Sequence, residues 1–453
     1  MENSLKTADI SFGFSDEGIE EIVLDSRKKM QHALFVPIIG EHSDGHDYID
    51  MAIANGAVAV LSSRPIEALQ AKHPAVRFYQ VPDTTKALQE IGYMERKKFH
   101  GTVIGVTGSV GKTTTRSMIA TALAAGKKVF QTAGNANSQV GVPITMFQMA
   151  RSGAEAAVIE LGMSEPGEMT RIAQIACVDM AVMTNIGIAH IEQLKTQENI
   201  LREKLHILDG MREGGALYLN MDDAILSKLT LEEIHAFGIA TEQTIELRSY
   251  EMKDYDLHLM VKGSHMLQNA SAAMHIATAL GVDEVAAQHA LENFSGLAGR
   301  GETFRTKEGV LVIDDAYNAS PASMKAGLEA LAALEGKRHI AVLADMLELG
   351  EKTLEYHREV GSYLATLPID AVFLYGERAA AIGEGIQSAV AEPHKPIGDE
   401  AARRVPTIEY FTDLEELRNT LHAIACSGDV ILFKGSNSMK LSEIVRDFRQ
   451  EQC

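Results

Sequence analysis

The sequence predicts an α/β protein of three domains: a small α/β domain, a central domain with a parallel sheet and a phosphate-binding (P-loop) ATPase site, and a C-terminal Rossmann-like, doubly wound domain. Three observations lead to this prediction. The length of 453 residues suits roughly three domains at about 150 residues each. Short apolar runs alternate with helical patterns, which is typical of parallel sheets. The alternation restarts after the turn Gly299-Arg300-Gly301, where a third domain is therefore expected.

The composition is that of an ordinary globular protein, with 46% hydrophobic and 23% charged residues. The formal charge of −20 argues against nucleic acid or an anionic membrane surface as a general partner. Residues 1–9 lack a signal pattern, and no apolar run approaches the roughly 18 residues that span a bilayer. Because Cys177, Cys426 and Cys453 have no metal-ligand spacing, we expect free thiols and a cytoplasmic protein that does not insert into membranes.

The first domain is predicted for residues 1–98. Short apolar runs at residues 33–39 and 57–61 alternate with polar turns, as at residues 41–45. The charged stretch Glu95-Arg96-Lys97-Lys98 comes just before the next apolar run, so it is interpreted as a linker.

The central domain is predicted for residues 99–305, with strands at residues 156–161 and 180–186 and helices at residues 197–211 and 268–280. It contains the sequence Gly-Val-Thr-Gly-Ser-Val-Gly-Lys-Thr-Thr at residues 105–114, between an apolar run and a helical pattern. The loop residues expected to contact nucleotide phosphates are Gly108, Ser109, Gly111, Lys112, Thr113 and Thr114.

Each part of this loop has a chemical role in the prediction. Backbone N–H groups and the helix N-terminus surround phosphate oxygens, Lys112 reaches the terminal phosphates, and the Thr113 hydroxyl holds Mg²⁺. The expected ligand is ATP or GTP. The alternative is a glycine-rich turn, which the strand, loop and helix order disfavours.

Polar residues follow the buried strands of the central domain, where ligands of open α/β sheets bind. Glu160 and Asn185 end two of these strands, and His190 follows the second on a loop. A carboxylate at Glu160 suits Mg²⁺. Taken alone, a strand-end glutamate or a loop histidine is more often a structural or surface residue.

Lys204 shares an apolar helical stripe with Ile200, Leu201 and Leu208, so its side chain is predicted to point inward. One alternative is a snorkelling lysine whose stem covers apolar surface. The other is an amine whose pKa is lowered by desolvation, so that the neutral form can react or be modified.

The third domain is predicted for residues 306–453. Its strands are expected at residues 310–313, 339–343, 371–375, 408–411 and 430–433. The segment Asp314 to Pro321 follows the first of them and suits ribose or phosphate contacts. The alternative is a helix-capping turn, which Ser320 and Pro321 fit well.

Taken together, these motifs resemble the Mur ligase family of ATP-dependent amide-forming enzymes of cell-wall precursor synthesis, over nearly the whole chain. The segments that carry the resemblance are Asp25-Ser26-Arg27, Leu34-Phe35, Asp44-Gly45-His46, Gly134-Asn135-Ala136-Asn137 with Gly141 and Pro143, Asp314 to Pro321, Asp345 to Gly350, and Lys434-Gly435-Ser436.

The resemblance implies that the first domain binds UDP, the second binds ATP, and the third closes over ATP with the incoming amine. The member whose motifs are most similar adds D-alanyl-D-alanine to UDP-N-acetylmuramoyl-tripeptide through an acyl phosphate. These two substrates are the implied partners, and a monomer is expected.

The resemblance also implies roles for individual residues. Glu160 and His190 would join Thr113 of the loop as ligands of two Mg²⁺ ions, and Lys204 would be carbamylated as a further ligand. The implied nucleotide contacts are Asn269, Arg300, Asp315 and Asn318. The implied substrate contacts are Ser26, Arg27, Asn135, Asn137 and Lys434.

Three positions depart from the family pattern: Met266, where asparagine is usual after His265, Ala344, where glycine is usual, and Asn437, where arginine is usual. Loss of arginine removes charge and bidentate carboxylate recognition. A family member with the same ATP chemistry and another acceptor is therefore one alternative, and a non-catalytic nucleotide-binding protein is a second. Folylpolyglutamate synthetase fits less well, because the Asp25-Ser26-Arg27 domain has no role there.

Overall fold

A computed structural model describes residues 12–40, 43–261, 263–391 and 405–450. Two features of the sequence lie outside the described residues: the polar start at residues 1–9 and Cys453. Among the described residues, no helix combines the length and apolarity needed to cross a membrane.

The first domain is a parallel sheet of four strands in the order β1-β2-β3-β4. The strands are β1 (Glu21–Val23), β2 (Ala33–Phe35), β3 (Ala57–Ser62) and β4 (Arg77–Gln80), and the helices are α1 (Ile49–Ala54), α2 (Glu67–Lys72) and α3 (Thr84–Lys98). Apolar residues fill β2 and β3 because helices and neighbouring elements cover both faces of a parallel sheet.

The charged run predicted as a linker is instead the last turn of α3. Asp83 caps the start of this helix by accepting hydrogen bonds from the backbone N–H groups of Thr85 and Lys86. Glu95 and Arg96 are both buried, so this part of the run is an interior segment of the molecule. The prediction failed because charged residues can be buried when they are paired, and the local sequence does not show whether a partner is present.

The central domain is a parallel sheet of six strands in the order β10-β9-β8-β5-β7-β6. The strands are β5 (Thr102–Thr107), β6 (Val129–Gln131), β7 (Ala156–Glu160), β8 (Met180–Met183), β9 (Gly215–Asn220) and β10 (Ile245–Tyr250). The helices are α4 (Lys112–Ala124), α5 (Gly141–Arg151), α6 (Glu168–Ala176), α7 (Ile191–Leu194), α8 (Gln197–Leu205), α9 (Leu231–Ala236), α10 (Ser264–Ala279) and α11 (Glu284–Glu292). Because β5 lies between β7 and β8, its C-terminal end is a point where the strand order reverses, the usual ligand position in such sheets.

The third domain is a six-stranded sheet in the order β11-β12-β16-β13-β14-β15, with only the β11–β12 pair antiparallel. The strands are β11 (Glu302–Arg305), β12 (Leu311–Asp315), β13 (Arg338–Ala344), β14 (Ala371–Tyr375), β15 (Thr407–Phe411) and β16 (Asp429–Lys434). The helices are α12 (Pro321–Ala332), α13 (Thr353–Leu364), α14 (Ala380–Ala391), α15 (Leu414–Ile424) and α16 (Leu441–Gln450).

The predicted fold class is confirmed, because three α/β units with parallel sheets follow one another along the chain. The predicted cap of α12 is also present: the Ser320 side chain accepts from the Ser323 N–H, and Pro321 is the first helical residue. The strand β11 pairs in the third sheet, although its residues lie before the boundary predicted at residue 305.

Candidate active site

The loop between β5 and α4 has the geometry of a phosphate-binding loop. Gly108 and Gly111 have φ values of 146° and 84°, and a Cβ atom on Gly108 would lie 1.9 Å from the Thr184 hydroxyl oxygen. Only glycine fits at Gly108. The end of β8 fixes the loop, because the Val110 N–H donates to Asn185 Oδ1 at 2.9 Å and the Gly187 N–H donates to Ser109 Oγ at 2.9 Å.

Two side chains at the start of α4 complete the loop. Lys112 Nζ donates to the carbonyl oxygens of Gly108 and Ser109, at 2.8 and 3.3 Å. Burial lowers the pKa of Lys112, Glu160 opposes this shift, and Arg300 adds to it. The Thr113 hydroxyl is buried and has no hydrogen-bond partner, which leaves its oxygen available to a ligand. Thr114, the next loop residue, is also buried.

Glu160 is the buried last residue of β7, and two neighbours orient its carboxylate. Asn137 Nδ2 donates to Glu160 Oε1 at 2.7 Å, and an Arg116 nitrogen lies 3.5 Å from Glu160 Oε2. The same Arg116 nitrogen donates to the Gly134 carbonyl at 2.9 Å. Asn137, predicted as a substrate contact, is therefore placed beside the predicted magnesium ligand.

Arg116 is a residue that the sequence reasoning missed. It is buried in α4, one helical turn after Lys112, and its Nε has no hydrogen-bond partner. Burial lowers the pKa of this guanidinium, Glu160 opposes the shift, and Arg300 adds to it. The signal was the spacing of four residues from Lys112, which places both side chains on one face of the helix.

Lys204 is buried in α8, with 1% of its surface exposed, as its position in the apolar stripe predicts. Burial lowers its pKa well below the ordinary value. The charge of Lys112 adds to this shift, and that of Glu203 opposes it. The two lysines therefore belong to one electrostatic neighbourhood, which favours the neutral form of Lys204.

His190 precedes α7 in a left-handed backbone conformation, with φ of 63°. Its Nδ1 lies 3.1 Å from Glu348 Oε2 in the third domain, without the alignment of a good hydrogen bond. The contact lowers the pKa of Glu348. Within the described residues, no three side chains of His, Cys, Asp or Glu converge as a ready-made metal site. The oxygen donors that fit Mg²⁺ are the unpartnered Thr113 hydroxyl and the Glu160 carboxylate, and a ring nitrogen of His190 is a further candidate donor.

Two predicted nucleotide contacts lie beside the loop. Asn269 Oδ1 accepts from the Thr115 hydroxyl at 2.9 Å, and a Cβ atom on Gly111 would lie 3.2 Å from the same oxygen. The Arg300 guanidinium lies 4.0 Å from the centroid of the Tyr317 ring, which belongs to the third domain. Its charge lowers the pKa of Lys112, so Arg300 adds to the positive field at the loop.

The remaining predicted contacts of the third domain form one cluster. Buried Lys434 donates from Nζ to Asp315 Oδ2 at 2.5 Å and to the Asn318 carbonyl at 3.2 Å. Lys434, predicted as a substrate contact, thus holds the two predicted nucleotide contacts. Burial lowers the pKa of His265 at the start of α10, with Asp315 opposing and Lys434 adding, so the central domain faces this cluster.

The other predicted substrate residues lie apart from this cluster. In the first domain, Arg27 pairs through two nitrogens with Asp25, at 2.8 and 2.9 Å, and lowers the pKa of Asp25 to about 2. Ser26 is buried, and its hydroxyl lies 3.6 Å from the Met51 sulfur. Asn135 is exposed in the loop before α5. The hydrogen bonds that the structure gives Ser26 and Arg27 stay within the first domain.

The three positions that depart from the family pattern lie in different surroundings. Met266 is buried, and a Cβ atom on Gly301 would lie 3.1 Å from its methyl carbon. Ala344 is buried at the end of β13, and a Cβ atom on Gly435 would lie 2.7 Å from its Cβ. Asn437 is exposed and begins the short 3-10 helix Asn437–Met439 after β16.

Comparison with known proteins matches three sequence families along the chain. Residues 18–93 match the Mur ligase family catalytic domain, residues 106–277 the Mur ligase middle domain, and residues 299–437 the Mur ligase, glutamate ligase domain. The UDP-N-acetylmuramoyl-tripeptide--D-alanyl-D-alanine ligase of Bacillus subtilis is 35% identical, over 95% of this chain and 93% of its own length.

Two solved structures resemble the whole chain. A crystal structure of MurF from Acinetobacter baumannii is 28% identical with a TM-score of 0.79, over 95% of this chain and 94% of that one. The MurF ligase of Thermotoga maritima in complex with ADP is 27% identical with a TM-score of 0.77, over 97% of this chain and 99% of that one.

Proposed function

The chain belongs to the Mur ligase family, and on this premise we propose that it joins D-alanyl-D-alanine to UDP-N-acetylmuramoyl-tripeptide at the expense of ATP. The ligase of Bacillus subtilis that is similar to this chain supports this pair of substrates. The observation that carries the ligase chemistry is a buried, electrostatically coupled Lys204 beside a phosphate-binding loop. The product belongs to peptidoglycan precursor synthesis.

ATP would bind with its phosphates on the loop. The backbone N–H groups at the start of α4 would face the phosphate oxygens, because those of Ser109 and Val110 are already bonded to Asn185. Lys112 would turn from the loop carbonyls to the terminal phosphates. Asn269 is proposed as a nucleotide contact from the central domain. Arg300, Asp315 and Asn318 are proposed as contacts from the third, because the strand after Arg300 pairs in the third sheet. The ADP complex of the Thermotoga maritima enzyme supports the choice of nucleotide.

Thr113, Glu160 and His190 would hold magnesium, together with a carbamate on Lys204. When bound, magnesium supplies positive charge that offsets the charge of the transferred phosphoryl group. A neutral lysine amine adds CO₂ with loss of a proton and becomes a carboxylate. Burial of Lys204 favours the neutral amine, so its environment suits this modification.

The reaction needs two bond exchanges. The terminal carboxylate of the tripeptide attacks the γ-phosphorus of ATP, which gives an acyl phosphate and ADP. The amine of D-alanyl-D-alanine then attacks the acyl carbon, loses a proton, and expels inorganic phosphate. Lys112, Arg116 and Arg300 surround the first exchange with positive charge, which stabilises the developing negative charge there.

Each of the three domains has its own proposed role. Residues 1–98 would bind the UDP-linked peptide through Ser26 and Arg27, residues 99–305 would bind ATP, and residues 306–453 would bring the acceptor. Asn135, Asn137 and Lys434 are proposed to face the substrate side. Asn137 and Lys434 would act through Glu160 and Asp315, which they contact.

The test is phosphate release from ATP and Mg²⁺ with UDP-N-acetylmuramoyl-tripeptide, with and without D-alanyl-D-alanine, followed by the mass of the product. Dipeptide-dependent release with formation of the UDP-pentapeptide is expected. Release that depends on a different amine would favour another acceptor. The specific observation for this alternative is Asn437, which is exposed at the position where arginine is usual. Nucleotide binding without release for any acceptor would overturn the ligase proposal.

A further inference from the structure

The contact between His190 and Glu348 joins the central and third domains at the proposed metal site. His190 lies on the loop between β8 and α7, and Glu348 lies on the loop after β13. Their side chains approach to 3.1 Å, from Nδ1 to Oε2. Both residues have a left-handed backbone, with φ of 63° and 61°. Such a conformation is unfavourable outside glycine, so the surrounding structure must hold both residues in place.

Neighbouring contacts show that the two loops are docked on each other. Ile188 of the central domain packs against the apolar core of the third domain, which includes Met346 and Leu349. Gly350 lies against α7, since a Cβ atom added to it would be 3.5 Å from Glu192 Cα. The His190–Glu348 pair lies at the edge of this docked interface, with 23% of the His190 side chain and 60% of the Glu348 side chain exposed.

We propose that Glu348 is a positioning residue that holds Nδ1 of His190 from the third domain and leaves Nε2 as the ring nitrogen for the metal. A histidine that ligates a metal usually gives its other ring nitrogen to a carboxylate or carbonyl, which fixes the orientation of the ring. Glu348 supplies that carboxylate from another domain. The inference rests on the proposed function, which makes His190 a magnesium ligand.

The consequence is a coupling between metal binding and the position of the third domain. When the two loops are docked, His190 is held in the orientation that ligation needs. Loss of such an outer contact typically weakens metal binding 10- to 100-fold. By linkage, bound metal and nucleotide stabilise the docked arrangement to the same extent.

The test measures metal binding and needs neither the tripeptide nor the acceptor. Binding of Mn²⁺ is followed by electron paramagnetic resonance in the presence of AMP-PNP, for the wild type, His190→Ala and Glu348→Ala. The matched control is Glu351→Ala, which removes an exposed glutamate from the same loop. We expect about tenfold weaker Mn²⁺ binding for Glu348→Ala and no change for Glu351→Ala.

The double variant His190→Ala with Glu348→Ala completes the experiment, and it is expected to bind Mn²⁺ no more weakly than His190→Ala alone. Wild-type affinity in Glu348→Ala, with weakened binding in His190→Ala, would overturn the inference and leave the proposed function intact. Unchanged affinity in His190→Ala would overturn the metal site itself. If Glu348→Ala does not fold, Glu348→Gln is measured instead, with a smaller loss of affinity expected.

Discussion

The central domain meets its two neighbours through interfaces of different kinds. Toward the first domain the contact is apolar and closely packed: α3 lies along α5, and a Cβ atom on Gly92 would come within 2.5 Å of Pro143 Cα. Phe147 of α5 is fully buried in the core cluster of the first domain, with Leu88 and Ile91 of α3. This interface has the character of a domain interior.

Buried and half-buried charges reinforce the same interface. Arg96 is 1% exposed and donates to the carbonyls of Ala176 and Cys177, at 2.7 and 2.8 Å. Arg151 bonds Glu95 and Asp16, each at 2.6 Å. These bonds satisfy groups that would be costly to bury alone.

Toward the third domain the contacts are less extensive and mostly polar, and they lie at the active site. They include Arg300 near Lys112, His190 beside Glu348, and Ile188 on the third-domain core. The central domain is therefore packed firmly against the domain proposed to bind the UDP-peptide. On the face where ATP reacts, its contacts with the third domain can adjust more easily. A reactive acyl phosphate must be kept from water, which calls for closure on this side.

The largest expected effect is at the loop of the active site. Lys112→Ala should lower turnover by at least about 10³-fold, because the charge offset on the transferred phosphoryl group is lost. The melting temperature should remain that of the wild type, since Lys112 bonds only loop carbonyls. Phosphate release and thermal unfolding measure the two quantities. Full turnover would contradict the ATP site.

Lys204→Ala should also abolish ligation, because the carboxylate that a carbamate supplies is lost. Acetate, a small carboxylate, should partly restore phosphate release in this variant by taking the place of the carbamate. The matched control is Lys112→Ala, which acetate should not rescue. Unreduced activity of Lys204→Ala without acetate would rule out the carbamate.

At the opposite interface, Phe147→Ala should lower the free energy of unfolding by about 3–5 kcal/mol, because a fully buried ring is replaced by a cavity. Turnover per folded molecule should change little. Urea unfolding and activity below the transition are the measurements. Reduced turnover with unchanged stability would show instead that the apolar interface serves catalysis rather than folding.

Arg300→Ala tests the polar side in the same way. It should raise the KM for ATP about tenfold, equivalent to about 1.4 kcal/mol, because the positive field at the loop and the contact with Tyr317 are lost. The melting temperature should shift little. Arg300→Lys, which keeps the charge, should show a smaller rise. Destabilisation as large as that of Phe147→Ala would show that both interfaces are packed alike.

The smallest effect is expected for Asp16→Asn. A hydrogen bond from Lys98 lowers the pKa of Asp16 below its usual 3.8, so the carboxylate stabilises the folded state above that pH. The side chain is about one-third exposed, so the loss at pH 7 should be only about 0.5–1 kcal/mol.

This stabilisation is lost as the pH falls below 3.8 through the folded-state pKa. The difference between Asp16→Asn and the wild type should therefore disappear in acid. Urea unfolding at a series of pH values measures it. A difference that persists at low pH would show that the effect is not electrostatic.

Much of the candidate site was predictable from local sequence. The glycine spacing and Lys112-Thr113 specify a loop between a strand and a helix, and the helical stripe around Lys204 places that lysine inside. Both signals act over a few residues, where backbone conformation and side-chain period decide the outcome. The interpretation of the Glu95 to Lys98 run as a linker failed because Arg96 finds its partners some 80 positions along the chain.

The sequence by itself determined the three α/β units, the phosphate-binding loop and the inward lysine, because residue type and spacing act locally. Only the tertiary structure decided that Arg116 and Asn137 flank Glu160, that Lys434 holds Asp315, and that Glu348 reaches His190. Those contacts depend on strand order and on how separate domains pack. A local pattern does not encode them, since many pairings of the same elements satisfy it equally well.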